Sequence, residues 1–412
     1  MKPKFNSAAL YVIANVLISA LGFLRNILFM RTLDHGDLGQ ITMLQTIVVV
    51  VGFIQLGLIN GGYRLYTGAD SSSGAQINNT VMTNIASVGV LLLSAISMLH
   101  FLGGVSIPNI SSETLLFGCV IGVVTMGATW VNNTLIAQAM LGRASVVNLC
   151  ASGMSLLVSL APGPDKFELA LLSLLLQPIC ALVLPLIIHA PSRPSIAVDA
   201  MLTRKIIEIG FASYCAAIIA LTSLQVERWF IVVKLGSEVM GMYYLTIVYS
   251  TIFTLVPISL LNLFYPKMVI AFDTRDKSRF DSLMRKHLLL ICCYVGSVVV
   301  ITWIFLSWTL ENYLQKYAGQ QNLVYLALPG LIAYVLFDNI VLVLQSAKKM
   351  LNILLFALIA LALNTIALAL ASAYDALTLE RAAMFKSLSF ILAAIVISAD
   401  LYIRRRRLLA WK

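Results

Sequence analysis

Long apolar runs alternate with short polar or Pro/Gly-containing segments along the whole chain. Most runs are close to the ~20 residues that an α-helix needs to cross the hydrocarbon core of a bilayer. The pattern predicts twelve spans at approximately 8–33, 41–63, 80–102, 115–136, 144–161, 169–190, 206–232, 240–263, 287–309, 323–345, 350–373 and 382–403. The connections are too short to fold as separate domains. The sequence therefore predicts an all-α polytopic membrane protein.

Composition strengthens this prediction and excludes a soluble enzyme. Of the 412 residues, 60% are hydrophobic and 11% are charged, whereas soluble domains carry about 25% charged residues. The six cysteines lie in apolar runs without a CxxC motif, and the four histidines are widely separated. Neither a disulfide framework nor a metal site is indicated. We expect no metal and no cofactor.

The net charge of +10 carries information about orientation. In a soluble protein such an excess would suggest nucleic acid, which is not an expected partner of a polytopic membrane protein. Most lysines and arginines fall in loops on the same side as the N-terminus and in the terminal segments. Because basic loops face the cytoplasm, both termini are predicted to be cytoplasmic.

A weak internal repeat relates the first and seventh spans. The matching positions are Arg25, Arg31, Gly39 and Asn60 in the first copy and Arg228, Lys234, Gly241 and Asn262 in the second. The copies lie six spans apart and share one orientation, as in parallel repeats. This predicts two six-helix bundles, residues 1–195 and 196–412, that face a central cavity. Such a design is typical of transporters.

Arg25 is the most informative ionisable residue in the predicted spans. It follows the apolar run 8–24 and precedes Arg31 by about 9 Å of helix. An ionisable group at membrane depth is costly unless it faces a cavity or a partner. We expect Arg25 to face a cavity that receives an anionic head group. The alternative is an arginine that extends its head group to the interface.

Further ionisable residues lie at or near membrane depth, and each has a structural alternative. For Glu227 and Arg228 it is a local ion pair, for Arg64 an interfacial anchor, and for Lys386 extension to the interface. The candidate substrate-binding residues are Arg25, Arg31, Arg64, Glu227, Arg228 and Lys386. Asp338 is the candidate ion-coupling residue, with a hydrogen-bonded structural aspartate as its alternative.

Two sequence blocks carry a family resemblance. LGFLRNILFMRTLDHGDLGQ at 21–40 with LGLINGGYR at 56–64, and QVERWFIVVKLGSEVMGMYYL at 225–245, resemble the polysaccharide and O-antigen repeat-unit flippases. These belong to the multidrug/oligosaccharidyl-lipid/polysaccharide exporter superfamily. The resemblance implies two bundles in a V and alternating access. It also implies transfer of an undecaprenyl-diphosphate-linked oligosaccharide from the cytoplasmic to the periplasmic leaflet of the bacterial inner membrane.

The resemblance also bears on individual residues and partners. Arg25 matches the cavity arginine of the first helix in the related lipid II flippases, and Glu227–Arg228 falls where the family has an acid followed by arginine. Asn26 departs from the aspartate usual in the lipid II branch, which weighs against a peptidoglycan precursor. A lipid-linked oligosaccharide is the implied substrate. Other membrane proteins of polysaccharide assembly are further candidate partners.

Two other functions are consistent with a twelve-span chain. A cation-coupled drug exporter of the same superfamily would need acidic residues in its cavity. A membrane polymerase or acyltransferase of polysaccharide assembly would need a large external loop or an intramembrane His/Asp site. The sequence contains no nucleophile–base pair, P-loop or HExxH motif, so we do not expect an enzyme.

Overall fold

The computed structural model describes residues 7–67, 69–101, 107–163, 165–188, 196, 199–346 and 350–408, without the side chains of 7–12, 71, 99–101, 258, 262, 266, 350 and 401–408. Within these ranges the chain is helical and contains no strand. The helices are α1 Ser7–Thr32, α2 His35–Gly52, α3 Leu58–Tyr66, α4 Ser71–Phe101, α5 Ser112–Ala137, α6 Leu141–Leu160, α7 Lys166–Ile188, α8 Ala200–Ser223, α9 Val226–Leu235, α10 Ser237–Asp273, α11 Lys277–Asn312, α12 Gln321–Ser346, α13 Met350–Ala373 and α14 Leu379–Leu408.

The described residues contain twelve helical segments that are long and apolar enough to cross a membrane. The predicted all-α, twelve-span fold class is therefore confirmed. Helices dominate because a backbone in hydrocarbon has no water to bond and must satisfy its polar groups internally. The terminal segments 1–6 and 409–412, predicted to be cytoplasmic, lie outside the described residues.

The second span is interrupted, although the sequence predicts one helix over 41–63. A single 3-10 turn follows α2, and Leu56 and Gly57 adopt left-handed conformations with φ of 50° and 86°. The freed backbone groups find partners. The Tyr214 hydroxyl donates to the Phe53 carbonyl, and the Gln55 side chain accepts from the Ile59 amide at 2.9 Å. The break is thus held by defined hydrogen bonds.

The seventh span is also interrupted, where the sequence predicts one helix over 206–232. α8 ends at Ser223 and α9 begins at Val226. The amide of Arg228 donates to the Gln225 carbonyl at 3.1 Å, at the start of α9. The Leu224 carbonyl, between the two helices, accepts a hydrogen bond from the Lys386 side chain at 2.9 Å.

The helices group into two compact units. Unit 1 comprises Met1–Ile218 with Gly236–Glu238, and unit 2 comprises Ile219–Leu235 with Val239–Lys412. The domain division at residue 195, the V shape and the central cavity between the halves remain predictions.

Glycines bring helices of unit 1 into close contact. On α5, a Cβ at Gly118 would lie 2.9 Å from Ile47 of α2, and one at Gly122 would lie 2.6 Å from Val51. This small-xxx-small spacing lets the two backbones approach, as is common between helices in membranes. The close packing fixes α2 and α5, which both line the cavity described below.

In unit 2, α12 packs closely on α14 and α11. The Gly330 amide donates to Ser387 Oγ at 2.7 Å, and a Cβ on Gly330 would lie 2.3 Å from Ser387 Cα. His287 of α11 is fully buried. Its Nδ1 lies 2.9 Å from Asn339 Oδ1 on α12 and donates to it, because an amide oxygen only accepts.

Candidate functional site

A cavity of about 480 Å³ lies within unit 1 among α1, α2, α5, α6 and α7. Side chains with polar groups come from all five helices: Asn15, Arg25, Gln45, Thr125, Thr129, Asn132, Asn148, Ser152 and Gln177. The other lining residues, such as Ile18 and Leu174, are apolar. The volume falls in the range of pockets that hold small-molecule ligands. The cavity thus combines polar and apolar side chains within unit 1.

Arg25 is the single charged residue among the described residues that line this cavity. It is 9% exposed, and its Nη1 donates to Ser155 Oγ and to Gln177 Oε1, each at 2.7 Å. Its guanidinium carbon lies 5.9 Å from the centre of the Phe29 ring. Its partners in these contacts are uncharged, and they fix its orientation at the cavity. The structure places Arg25 at this cavity, and its contact with an anionic head group stays a prediction.

A serine cluster behind the cavity supports the arginine. Ser155 Oγ accepts from Arg25 and donates to the Ser173 carbonyl at 2.7 Å. Ser159 Oγ donates to Ser173 Oγ at 2.8 Å. These buried bonds join α6 to α7, so the acceptor offered to Arg25 is held in place by both helices.

Amides and hydroxyls form much of the remaining polar wall. Asn148 Nδ2 donates to Asn132 Oδ1 at 2.8 Å, and Gln177 Nε2 donates to Ser152 Oγ at 3.4 Å. Next to Gln177, Pro178 interrupts the hydrogen bonding of α7 because proline has no backbone N–H. Neutral donors and acceptors of this kind can bond the hydroxyl groups of a sugar.

Sequence reasoning missed these neutral residues. Thr125, Thr129 and Asn132 on α5 recur at helical spacing, which places them on one face. Asn148 and Ser152 do the same on α6. Polar side chains aligned within apolar runs were the available signal.

A second group of candidate residues meets in unit 2. Lys386 Nζ lies 2.5 Å from Glu227 Oε1 and donates to the Leu224 carbonyl at 2.9 Å. Glu227 is fully buried and Lys386 is 8% exposed. Among the described atoms Glu227 Oε2 has no hydrogen-bond partner. The structure therefore pairs two candidates that the sequence treated separately.

Of the other candidates, Arg228 interacts electrostatically with Glu227 and Lys386, and the remaining three lie outside both groups of contacts. Arg31 and Arg64 are exposed near the ends of α1 and α3, and neither lines the cavity of unit 1. Arg228 on α9 and Asp338 on α12 are half-buried. Within the described part of the chain, no three His, Cys, Asp or Glu residues cluster in a way that could hold a metal ion.

No family model and no curated protein matches the chain. Several solved structures match its fold. A MurJ lipid II flippase in an inward closed conformation has a TM-score of 0.75 at 12% identity, over 96% of this chain and 87% of that chain. An inward-facing MATE family multidrug resistance transporter of the MOP superfamily has a TM-score of 0.69 at 12% identity, over 97% and 99%.

A third solved structure is a MOP superfamily transporter from Pyrococcus furiosus, described as having a binding pocket of reverse polarity. It has a TM-score of 0.60 at 12% identity, over 98% of this chain and 96% of that chain. At such low identity these matches establish the fold alone. The chain is a multi-pass membrane protein with the fold of MOP-superfamily transporters.

Proposed function

We propose that the chain is a flippase that moves an undecaprenyl-diphosphate-linked oligosaccharide from the cytoplasmic to the periplasmic leaflet by alternating access. The proposal places it in the bacterial inner membrane with both termini cytoplasmic. The observation that carries it is the buried Arg25, the single charged side chain among the described residues that line the cavity.

The chemistry of the cavity suits such a cargo. A diphosphate must carry negative charge across an apolar slab about 30 Å thick, and a guanidinium gives charge-assisted hydrogen bonds to phosphate oxygens. The neighbouring amides and hydroxyls suit sugar hydroxyls. The polyprenyl tail, which is apolar, can remain in the lipid while the head group passes through the cavity. Arg25 would thus bind the diphosphate and the amide wall the first sugar.

A cation-coupled drug exporter of the same superfamily is the alternative, and its fold is equally compatible. A hydrophobic cation would call for an acidic residue in the cavity, because buried charges need a partner of opposite sign. The described lining residues include Arg25 and no acid. The charge of the cavity lining therefore favours an anionic cargo over a cationic one.

The remaining candidate residues have secondary roles in the proposed transport cycle. Arg31, Arg64 and Arg228 are predicted to meet the anionic head group on its way into or out of the cavity. Asp338 is the candidate for coupling transport to protons. Other membrane proteins of polysaccharide assembly are the proposed partners, because they would deliver or consume the lipid-linked repeat unit.

Flipping by purified protein in proteoliposomes tests the proposal. The probe is undecaprenyl-diphosphate-linked disaccharide with a fluorophore on the sugar, and flipping is read from the fraction that an impermeant reductant quenches. We expect the Arg25→Gln variant to flip at least ~10-fold more slowly, since a charge-assisted hydrogen bond contributes about 1.5–3 kcal/mol. The matched control is Arg204→Gln, which removes an exposed arginine paired with Glu208.

Two outcomes would contradict the proposal. If the same vesicles transport a hydrophobic cation such as ethidium but leave the lipid-linked disaccharide in place, the drug exporter is correct. If Arg25→Gln and Arg204→Gln both flip the probe at the wild-type rate, Arg25 does not bind the cargo.

A further inference from the structure

The break between α8 and α9 creates a set of oxygen ligands inside unit 2. The Leu224 carbonyl lies between the two helices, next to Gln225, whose own carbonyl accepts from the Arg228 amide at 3.1 Å. The Glu227 carboxylate lies one turn further on and is fully buried. A carbonyl at an interrupted helix together with a carboxylate is a ligand set that monovalent cations take in membrane transporters. In this chain the ligand set already has an occupant.

The occupant is the ammonium group of Lys386. Its Nζ lies 2.5 Å from Glu227 Oε1 and 2.9 Å from the Leu224 oxygen. The ammonium carries the same charge as an alkali cation, and it contacts both the Glu227 carboxylate and the Leu224 carbonyl. With Glu227 fully buried and Lys386 only 8% exposed, the pair has little access to ions in solution.

The packing of α14 fixes the position of this ammonium. The Gly330 amide of α12 donates to Ser387 Oγ at 2.7 Å, next to the lysine in sequence. A Cβ on Gly330 would stand 2.3 Å from Ser387 Cα, so the two backbones are in direct contact. Ser389 Oγ donates to the Lys386 carbonyl at 2.8 Å. The lysine backbone therefore has a defined place relative to α12.

We propose that Lys386 is a tethered cation that fills a monovalent-cation site formed by Glu227 and the Leu224 carbonyl. The chain then needs neither Na⁺ nor K⁺ at this site. Removal of the ammonium opens the site to a free alkali cation. This role differs from the substrate contact that the sequence predicts for Glu227 and Lys386, because each charge is already engaged by the other.

Thermal unfolding of the purified protein tests this role without any cargo, so the result is independent of the proposed function. The protein is heated in NaCl, KCl or choline chloride at equal concentration. Wild type is expected to unfold at one Tm in all three salts. Lys386→Ser, whose short side chain leaves room for an ion, should unfold earlier in choline chloride. Its Tm should be at least ~2 °C higher in NaCl or KCl, because a ligand that binds the folded state stabilises it.

The control is the double variant Glu227→Gln plus Lys386→Ser, which retains the space but lacks the carboxylate. Its Tm should not distinguish the three salts. The proposal is overturned if Na⁺ or K⁺ specifically raises the Tm of wild type. It is also overturned if Lys386→Ser has the same Tm in all three salts, or cannot be purified in any of them while the double variant can.

Discussion

Gly61 on α3 lies so close to Ile206 on α8 that a Cβ on the glycine would stand 1.9 Å from the Ile206 carbonyl oxygen. One turn earlier, a Cβ on Gly57 would stand 2.9 Å from the backbone of Gly210. The two helices of unit 1 therefore touch backbone to backbone. No side chain fits between them, and the short helix after the break in the second span depends on this contact for its position.

We expect Gly61→Ala to separate α3 from α8. The substitution should destabilise the protein by about 1–3 kcal/mol, the usual cost of overpacking. The measurement is Tm in detergent. Gly153→Ala on α6 is the control, since a Cβ there meets no atom within 4 Å and alanine favours a helix by about 0.5–1 kcal/mol. Equal Tm changes in the two variants would show that the α3–α8 contact is not tight.

Tyr214→Phe should loosen the break after α2. The hydroxyl of Tyr214 donates to the Phe53 carbonyl, and its loss leaves that carbonyl without this donor at a cost of about 1–3 kcal/mol. Tm reports the loss, and protease cleavage near the break reports local opening. Tyr374→Phe, at a tyrosine that is 80% exposed, should leave both unchanged. Indistinguishable behaviour of the two variants would remove the proposed role of the tyrosine.

Arg25→Lys separates charge from geometry in the cavity. A lysine keeps the positive charge but lacks the planar guanidinium that bonds Ser155 and Gln177 through one nitrogen. In the disaccharide flipping assay we expect a rate between those of wild type and Arg25→Gln. A Gln177→Leu variant should fall in the same intermediate range, because it retains Arg25 but not its orientation. Wild-type rates in both would mean that charge alone suffices.

Asn339→Leu should destabilise unit 2, because it removes the hydrogen-bond acceptor of the buried His287. His287 then keeps an N–H without its acceptor, which costs about 1–3 kcal/mol, and Tm falls accordingly. Adding His287→Phe removes the donor as well, so the double variant should unfold at a higher temperature than Asn339→Leu alone. If the Tm losses of the two substitutions instead add in the double variant, the 2.9 Å contact between His287 and Asn339 contributes nothing specific to stability.

The helices and their number could be predicted from the sequence because bilayer thickness sets the length of an apolar run. The two interruptions could not. The break after α2 depends on a hydrogen bond from Tyr214 to Phe53, 161 residues apart, and the left-handed Leu56 carries no strong local signal. The sequence predicts continuous helices there because apolar periodicity continues across both breaks.

The candidate residues show the same division between local and long-range information. Arg25, Glu227 and Lys386 could be selected because an ionisable side chain is conspicuous in an apolar run. The partnership of Glu227 with Lys386 spans 159 residues, and no periodicity in a single sequence encodes it. Gln177 was overlooked because a neutral amide in a span costs much less than a charge.

A counter-charge that belongs to the polypeptide cannot be released on the far side of a membrane. Because Lys386 is covalently part of α14, its pairing with Glu227 moves no ion from one compartment to the other during a transport cycle. With a diphosphate cargo, the electrical current through a reconstituted membrane should then report the cargo charge, and any excess must come from a group such as Asp338. A voltage of 100 mV acts on each transported charge with about 2.3 kcal/mol, so the membrane potential alone could give the cycle its direction.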